Sequence, residues 1–352
     1  MGKNVLLFGY SKMNFGDDLF IYILANKYKN VHFYIQIPDK KYRKPFLDLE
    51  NICILEGERD VRNVQIEKFD AFVYVGGSIF IESEYSKHEV KEFNYFIKEC
   101  NKINKPFFYI TCNFGPYQTQ EYLNMVKENF WLSKGVSVRD KESYELFKEL
   151  PTVTYAPDLA FTYSLDEIKS RKRLRNVGIS IINLEIREKL KGQTGIYEDY
   201  IKRIAIKFAK RGYKVYLFSF CQFEEDEIAM GRIKKSIPKK YIKNVKEVFY
   251  RGDIEEFIKE YSKMNRMVCT RFHSMILSII LKQKIYNLCY SQKQDNIIKD
   301  FQLFEKRDNI ADINYETRLE MGDFKKINKE KYSELLEKSN GQVKKFEEWL
   351  NT

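Results

Sequence analysis

A chain of 352 residues that is 44% hydrophobic, with 25 Tyr and 27 Phe, holds more apolar surface than a disordered chain and is long enough for two domains. Only 16 Gly and 7 Pro exclude collagen-like and low-complexity classes, and no apolar run is long enough to span a bilayer. With 61 basic against 50 acidic residues and a net charge of +11, anionic partners are expected; the lysines read as spread rather than clustered, and no helix-turn-helix, RNP or zinc-finger pattern supports nucleic acid.

The opening residues have one positive charge, a short apolar run and no small-residue cleavage pattern, so no signal peptide is expected. Strands are expected at 4–8, 31–36, 52–55, 71–75, 107–111, 136–138 and 153–155, with helices at 17–29, 86–104, 120–132 and 141–150 between them. A charged stretch at 166–175 breaks the rhythm and reads as an interdomain linker. The alternation then resumes, with strands at 177–182, 214–220, 245–250, 266–270 and 285–290 and helices at 197–210, 223–237, 254–264 and 272–283. A last charged helix is expected over 327–350, with no partner strand. The reading is α/β: two Rossmann-like, doubly wound domains at 1–165 and 176–310 facing a central cleft, with 325–352 packing back on the first. Six cysteines without a Cys-x-x-Cys pair suit buried thiols in a reducing compartment, and neither a zinc site nor a disulfide framework is expected.

In such folds ligands bind beyond the carboxyl ends of the strands, so the residues there are the candidates. After the first strand come Asn14, Gly16, Asp17 and Asp18, a turn entering a helix; the aspartates either cap that helix or face the cleft. Gly76 and Gly77 end the fourth strand, and Gly115-Pro116 follows the fifth. Glycines there either admit a ligand close to the backbone or make a plain tight turn. Arg139 sits where a short strand stops; its guanidinium suits phosphate or carboxylate, or else a salt bridge to Asp140 or a neighbour. Asp158 ends the next strand as a further carboxylate, or as a turn or cap residue.

The sharpest local signal is Arg271-Phe272-His273-Ser274 at a strand-to-helix junction, with Tyr290 and Lys293 after the next strand. A helix N-terminus favours anions, so an anion can dock beside Arg271 while His273 exchanges protons near neutral pH. His32 and His88 read as structural, and no histidine pair has metal-ligand spacing.

Taken in order, Asn14-Phe15-Gly16-Asp17-Asp18, Gly76-Gly77, Gly115-Pro116, Val138-Arg139-Asp140, Asp158 and Arg271-Phe272-His273-Ser274 with Tyr290 and Lys293 resemble the polysaccharide pyruvyltransferases. The resemblance implies a GT-B-like fold and transfer of the enolpyruvyl group of phosphoenolpyruvate to two hydroxyls of a glycan sugar, giving a pyruvate ketal. It also implies phosphoenolpyruvate as co-substrate, no tightly bound cofactor and no metal. The setting implied is cytoplasmic biosynthesis of a cell-wall, capsular or exported polysaccharide. On this reading His273 is the general acid and Asp17 or Asp158 the general base. Arg271, Arg139, Phe272, Ser274, Gly16, Gly76, Gly77, Asn14, Tyr290 and Lys293 bind substrate. The expected acceptor is a glycan or a lipid-linked saccharide, and the positive balance would hold the protein against an anionic membrane surface. Two departures stand out: Cys112-Asn113-Phe114 precedes Gly115, and Gln283-Lys284-Ile285 replaces a glycine-proline turn. The rival readings are a GT-B glycosyltransferase using a nucleotide sugar and a non-catalytic glycan-binding module.

Overall fold

The computed structural model describes residues 2–57, 60–165, 175–303 and 307–352. Apart from Arg175, the expected linker lies outside the described residues. The chain divides into two compact units: Met1–Ser11, Asp17–Thr162 and Glu334–Thr352 form the first, and Lys12–Gly16 with Tyr163–Ser333 form the second.

The first unit is a seven-stranded parallel sheet of β1 (Asn4–Phe8), β2 (His32–Gln36), β3 (Ile52–Leu55), β4 (Ala71–Val75), β5 (Phe107–Cys112), β6 (Gly135–Val138) and β7 (Val153–Tyr155), in the order β3-β2-β1-β4-β5-β6-β7. Its central strands are buried along their whole length. That is why they read as continuous apolar runs rather than as alternating ones. Helices α1 (Phe15–Lys27), α2 (Glu84–Lys102), α3 (Gln120–Leu132) and α4 (Lys141–Phe147) make the crossovers. Their starts are fixed by capping: Ser83 and Ser86 form a capping box, Thr119 accepts from the Tyr122 N–H, and Asp140 accepts from the Ser143 N–H. Val90, Phe93, Phe96, Ile97 and Cys100 form the stripe by which α2 packs into the core. There Phe8 meets Phe93 edge-on, with ring centroids 5.1 Å apart.

The second unit is a six-stranded parallel sheet of β8 (Asn176–Ser180), β9 (Lys214–Ser219), β10 (Val245–Phe249), β11 (Arg266–Cys269), β12 (Lys284–Cys289) and β13 (Arg307–Asn309), in the order β10-β9-β8-β11-β12-β13. Its helices are α5 (Thr194–Lys210), α6 (Asp226–Ser236), α7 (Lys239–Ile242), α8 (Ile254–Ser262), α9 (Phe272–Ile280) and α10 (Gln292–Asp300). In both sheets the strand order reverses beside the first strand, between β1 and β4 and between β8 and β11. These are the switch points where open α/β sheets place ligands.

The terminal helix is interrupted. α11 (Lys329–Ser339) and α12 (Lys344–Leu350) are separated by a 3-10 turn over Asn340–Val343. Gly341 sits there so close to Ala156 that an added Cβ would lie 3.0 Å from the alanine methyl. The neighbouring Gln342 side chain donates to the carbonyls of Ala156 at 2.7 Å and Val138 at 3.2 Å, which ties the chain end to β6 and β7. Among the described residues no helix is long and apolar enough to cross a membrane, and no group of three potential metal ligands occurs.

Candidate functional site

In the first unit the candidates gather at the strand ends around the switch point. Arg139 follows β6 and is only 1% exposed. It donates to Asp158 Oδ2 at 2.7 Å, and through Nε and one terminal nitrogen to Asn113 Oδ1 at 3.2 and 2.6 Å. The salt bridge therefore runs to Asp158, across to the end of β7. Asp140 instead caps α4, accepting from the Ser143 N–H at 2.9 Å. Gly77 is what makes room for the guanidinium, since a Cβ there would stand 2.2 Å from an Arg139 terminal nitrogen. Asp17 reaches the same edge: a Cβ on Gly76 would lie 4.0 Å from Asp17 Oδ1. Asp17, Gly76, Gly77, Arg139 and Asp158 are thus brought together, with Asn113 as a member the sequence reading did not pick out. Asn14 takes the capping role considered for the aspartates, its Oδ1 accepting from the Gly16 N–H at 3.0 Å.

In the second unit four successive strand ends supply charge. Arg271 follows β11 as the residue before α9. Its Nε donates to Asp226 Oδ2 at 3.1 Å and a terminal nitrogen donates to Asp226 Oδ1, a two-pronged grip. The other terminal nitrogen donates to Glu224 Oε2 at 2.5 Å. Arg187, after β8, donates to that same oxygen. The Asn14 amide donates to Glu224 Oε1 at 3.1 Å. One carboxylate is therefore clasped between two guanidinium groups and an amide. Burial alone would raise the Glu224 carboxyl, but Arg271 and Arg187 outweigh it and hold it down at about 2. Asp226 is fully buried, and there burial wins over the pull of Arg271, lifting it to about 6.

Tyr290, after β12, lies with its ring 4.9 Å from the Arg187 guanidinium carbon. Burial would raise its phenol, yet Lys293, Arg187 and Arg271 together lower it below the ordinary tyrosine value. The cluster is net electropositive. Its backbone is set by Ser180 at the end of β8, whose Oγ accepts from the Thr270 N–H at 2.8 Å and the Arg271 N–H at 3.2 Å.

His273 lies in the first turn of α9, half-buried, and packs edge-on against Phe272 with centroids 5.1 Å apart. Gly16 is pressed against its imidazole: a Cβ there would sit 1.8 Å from Nδ1. Only glycine fits that position without moving the ring. Gly16→Ala is expected to displace the imidazole and lower turnover while the unit stays folded. A normal melting curve with unchanged kcat would show that the ring position is immaterial.

Not every expected binding residue faces this cluster. Ser274 is wholly buried, and its Oγ is 2.8 Å from the Tyr261 hydroxyl; Phe272 is 3% exposed. Ser274 anchors α9 to the interior rather than offering its hydroxyl to a ligand, whereas the Phe272 ring has the Lys293 ammonium 5.8 Å from its centre. Arg187, Glu224 and Asp226 escaped the sequence reading. The two carboxylates had a signal, an acidic run Glu224-Glu225-Asp226 separated from β9 by four residues, but it resembles an ordinary negatively charged helix start.

Two switch-point clusters on two parallel-sheet α/β units define a protein of GT-B-like fold. Solved structures agree over nearly the whole chain. MnaA of S. aureus in a co-structure with UDP is 11% identical with a TM-score of 0.61, covering 100% of this chain and 97% of that one. The UDP-GlcNAc 2-epimerase from Methanocaldococcus jannaschii is 10% identical with a TM-score of 0.55, covering 99% of each chain. At that identity the likeness concerns the fold. The family is carried by sequence: a model described as polysaccharide pyruvyl transferase matches residues 14–285, and the chain belongs to that family of transferases.

Proposed function

We propose that the protein transfers the enolpyruvyl carbons of phosphoenolpyruvate to two hydroxyls of a glycan sugar or lipid-linked saccharide, in cytoplasmic biosynthesis of a polysaccharide. Phosphoenolpyruvate is the co-substrate, with no tightly bound cofactor. The observation that supports this most is the clasp in the second unit, where Arg187 and Arg271 already hold one carboxylate near Lys293, with His273 two residues on from Arg271 in the first turn of α9. A donor with a carboxylate and a phosphate needs such paired cations. Lys293, Tyr290 and Asn14 border the anion.

In the proposed reaction His273 protonates C3 of the enol, which becomes a methyl group, and C2 gains oxocarbenium character. The two sugar oxygens bond to C2, inorganic phosphate leaves, and the two hydroxyl protons balance the proton gained by C3 and the one that goes with phosphate. Asp17 or Asp158 of the first unit is the proposed base toward the acceptor. The Asp158 carboxylate accepts from Arg139 at 2.7 Å, which fixes its position at the end of β7.

The test is turnover of phosphoenolpyruvate with candidate glycans in deuterated water. The expected product carries one pyruvate ketal per modified sugar, one deuterium in its methyl group and one released phosphate. Tight calorimetric binding of a nucleotide sugar with no response to phosphoenolpyruvate would overturn the reading in favour of a glycosyltransferase.

A further inference from the structure

The whole positive excess of the protein lies in the second unit; the first carries more acidic than basic residues. Within that unit, residues 200–223 and 228–246 contain no Asp or Glu, yet hold six and seven basic residues. Along the sequence these look dispersed, but the fold collects them. The first tract ends α5 and enters β9; the second ends α6, forms α7 and enters β10. β9 and β10 are paired in parallel, Val215 beside Val245, and the Val215 N–H donates to the Asn244 carbonyl at 2.8 Å. Lys210, Arg211, Lys214, Lys239, Lys243 and Lys246 therefore share the amino-terminal edge of the sheet, opposite the strand ends that carry Arg271.

All six are exposed, and no ion pair among the described residues holds any of them. The carboxylates that come near are committed elsewhere: Glu320 pairs with Lys207 at 2.7 Å and Glu247 with Lys234 at 2.5 Å. At the centre Tyr241 is half-buried against the core, with the Lys240 ammonium 5.0 Å and the Lys210 ammonium 6.0 Å from its ring centre.

We propose that this edge is a docking surface for an anionic lipid bilayer. An unpaired cluster of this size is strongly drawn to a negatively charged leaflet. Lysine dominates the patch, giving diffuse point charges rather than the rigid forks that grip individual phosphates. The ring of Tyr241 is overlaid by lysines and turned to the core, so it offers no open face for stacking a base, the usual grip on single strands. The surface lies away from the Arg187–Glu224–Arg271 cluster and does not rest on the donor proposed above.

Flotation with vesicles of phosphatidylcholine alone and with rising phosphatidylglycerol tests it directly. Binding is expected only with the anionic lipid and should weaken with salt. Each lysine near such a surface is worth roughly a fivefold change in partitioning, so K239E/K240E/K243E is expected to cut binding by about 100-fold or more. The variant should keep its melting temperature, since the three lysines are exposed and hold no ion pair among the described residues. Equal binding to neutral vesicles, an unaffected triple variant, or displacement from vesicles by single-stranded DNA at matched phosphate would overturn the proposal. The last of these would make nucleic acid the partner.

Discussion

Arg271→Ala is expected to destabilise the second unit by about 3–5 kcal/mol, because it leaves a buried carboxylate without its counter-charge. Asp226 is fully buried and Arg271 6% exposed, so water cannot take over the lost contacts without opening the interior. Glu224 would lose one of its two arginines as well. For a unit of this size such a loss lowers the melting temperature by on the order of 10 °C. Arg271→Lys keeps a charge but not the two-pronged geometry, and should fall between the two. The comparison that isolates the pair is Asp226→Asn on each background: if the ion pair is the cause, the second change costs far less once Arg271 is gone. An Arg271→Ala protein with unaltered melting would show that the clasp does not hold this part of the sheet edge together.

His273→Ala is expected to lower kcat for pyruvyl transfer by roughly 10²-fold or more if the imidazole delivers the proton to C3. The ring is half-buried at a helix start, so its removal should leave the melting curve almost intact. The division between kcat and KM is informative. A loss confined to KM would assign the imidazole to holding phosphate, whereas a loss in kcat with a flattened pH profile fits proton delivery. Activity equal to the parent would exclude both roles.

The sheets were legible because buried parallel strands have to be apolar along their length. β1, β3, β4 and β7 lie where the runs at 4–8, 52–55, 71–75 and 153–155 place them. What escaped was polar. β13 is Arg-Asp-Asn, an edge strand whose partner supplies the pattern, and α10 opens on Gln-Lys-Gln-Asp and looks like a loop. The single helix expected over 327–350 is broken because Gly341 must lie against Ala156, a contact distant in sequence. The helix expected to reach 283 stops at Ile280, since the Gln283 amide turns inward to donate to the Tyr261 and Met264 carbonyls at 2.9 and 3.1 Å.

The same limit applies to the site. Arg139, Arg271 and His273 could be picked out by their places after strands. The partner of Arg139 could not, because Asp158 meets it through sheet order rather than sequence spacing. Ser274 shows the converse, a residue inside the sharpest motif whose hydroxyl turns out to serve the interior. The lysines were misjudged for the same reason: thirty residues of separation along the chain vanish when two strands start side by side.

The loop after β1 has a consequence for dissecting the molecule. Phe15 lies among Phe220, Tyr250 and Phe257, with centroids 5.4, 5.4 and 4.9 Å away, and its N–H donates to the Phe220 carbonyl at 3.0 Å. A fragment expressed from 163 to 333 would thus be born with a missing plug, an empty aromatic socket next to an imidazole that has lost its glycine neighbour. Supplying the heptapeptide Ser11–Asp17 in trans is the natural repair, which makes this short excursion a splint rather than a connector.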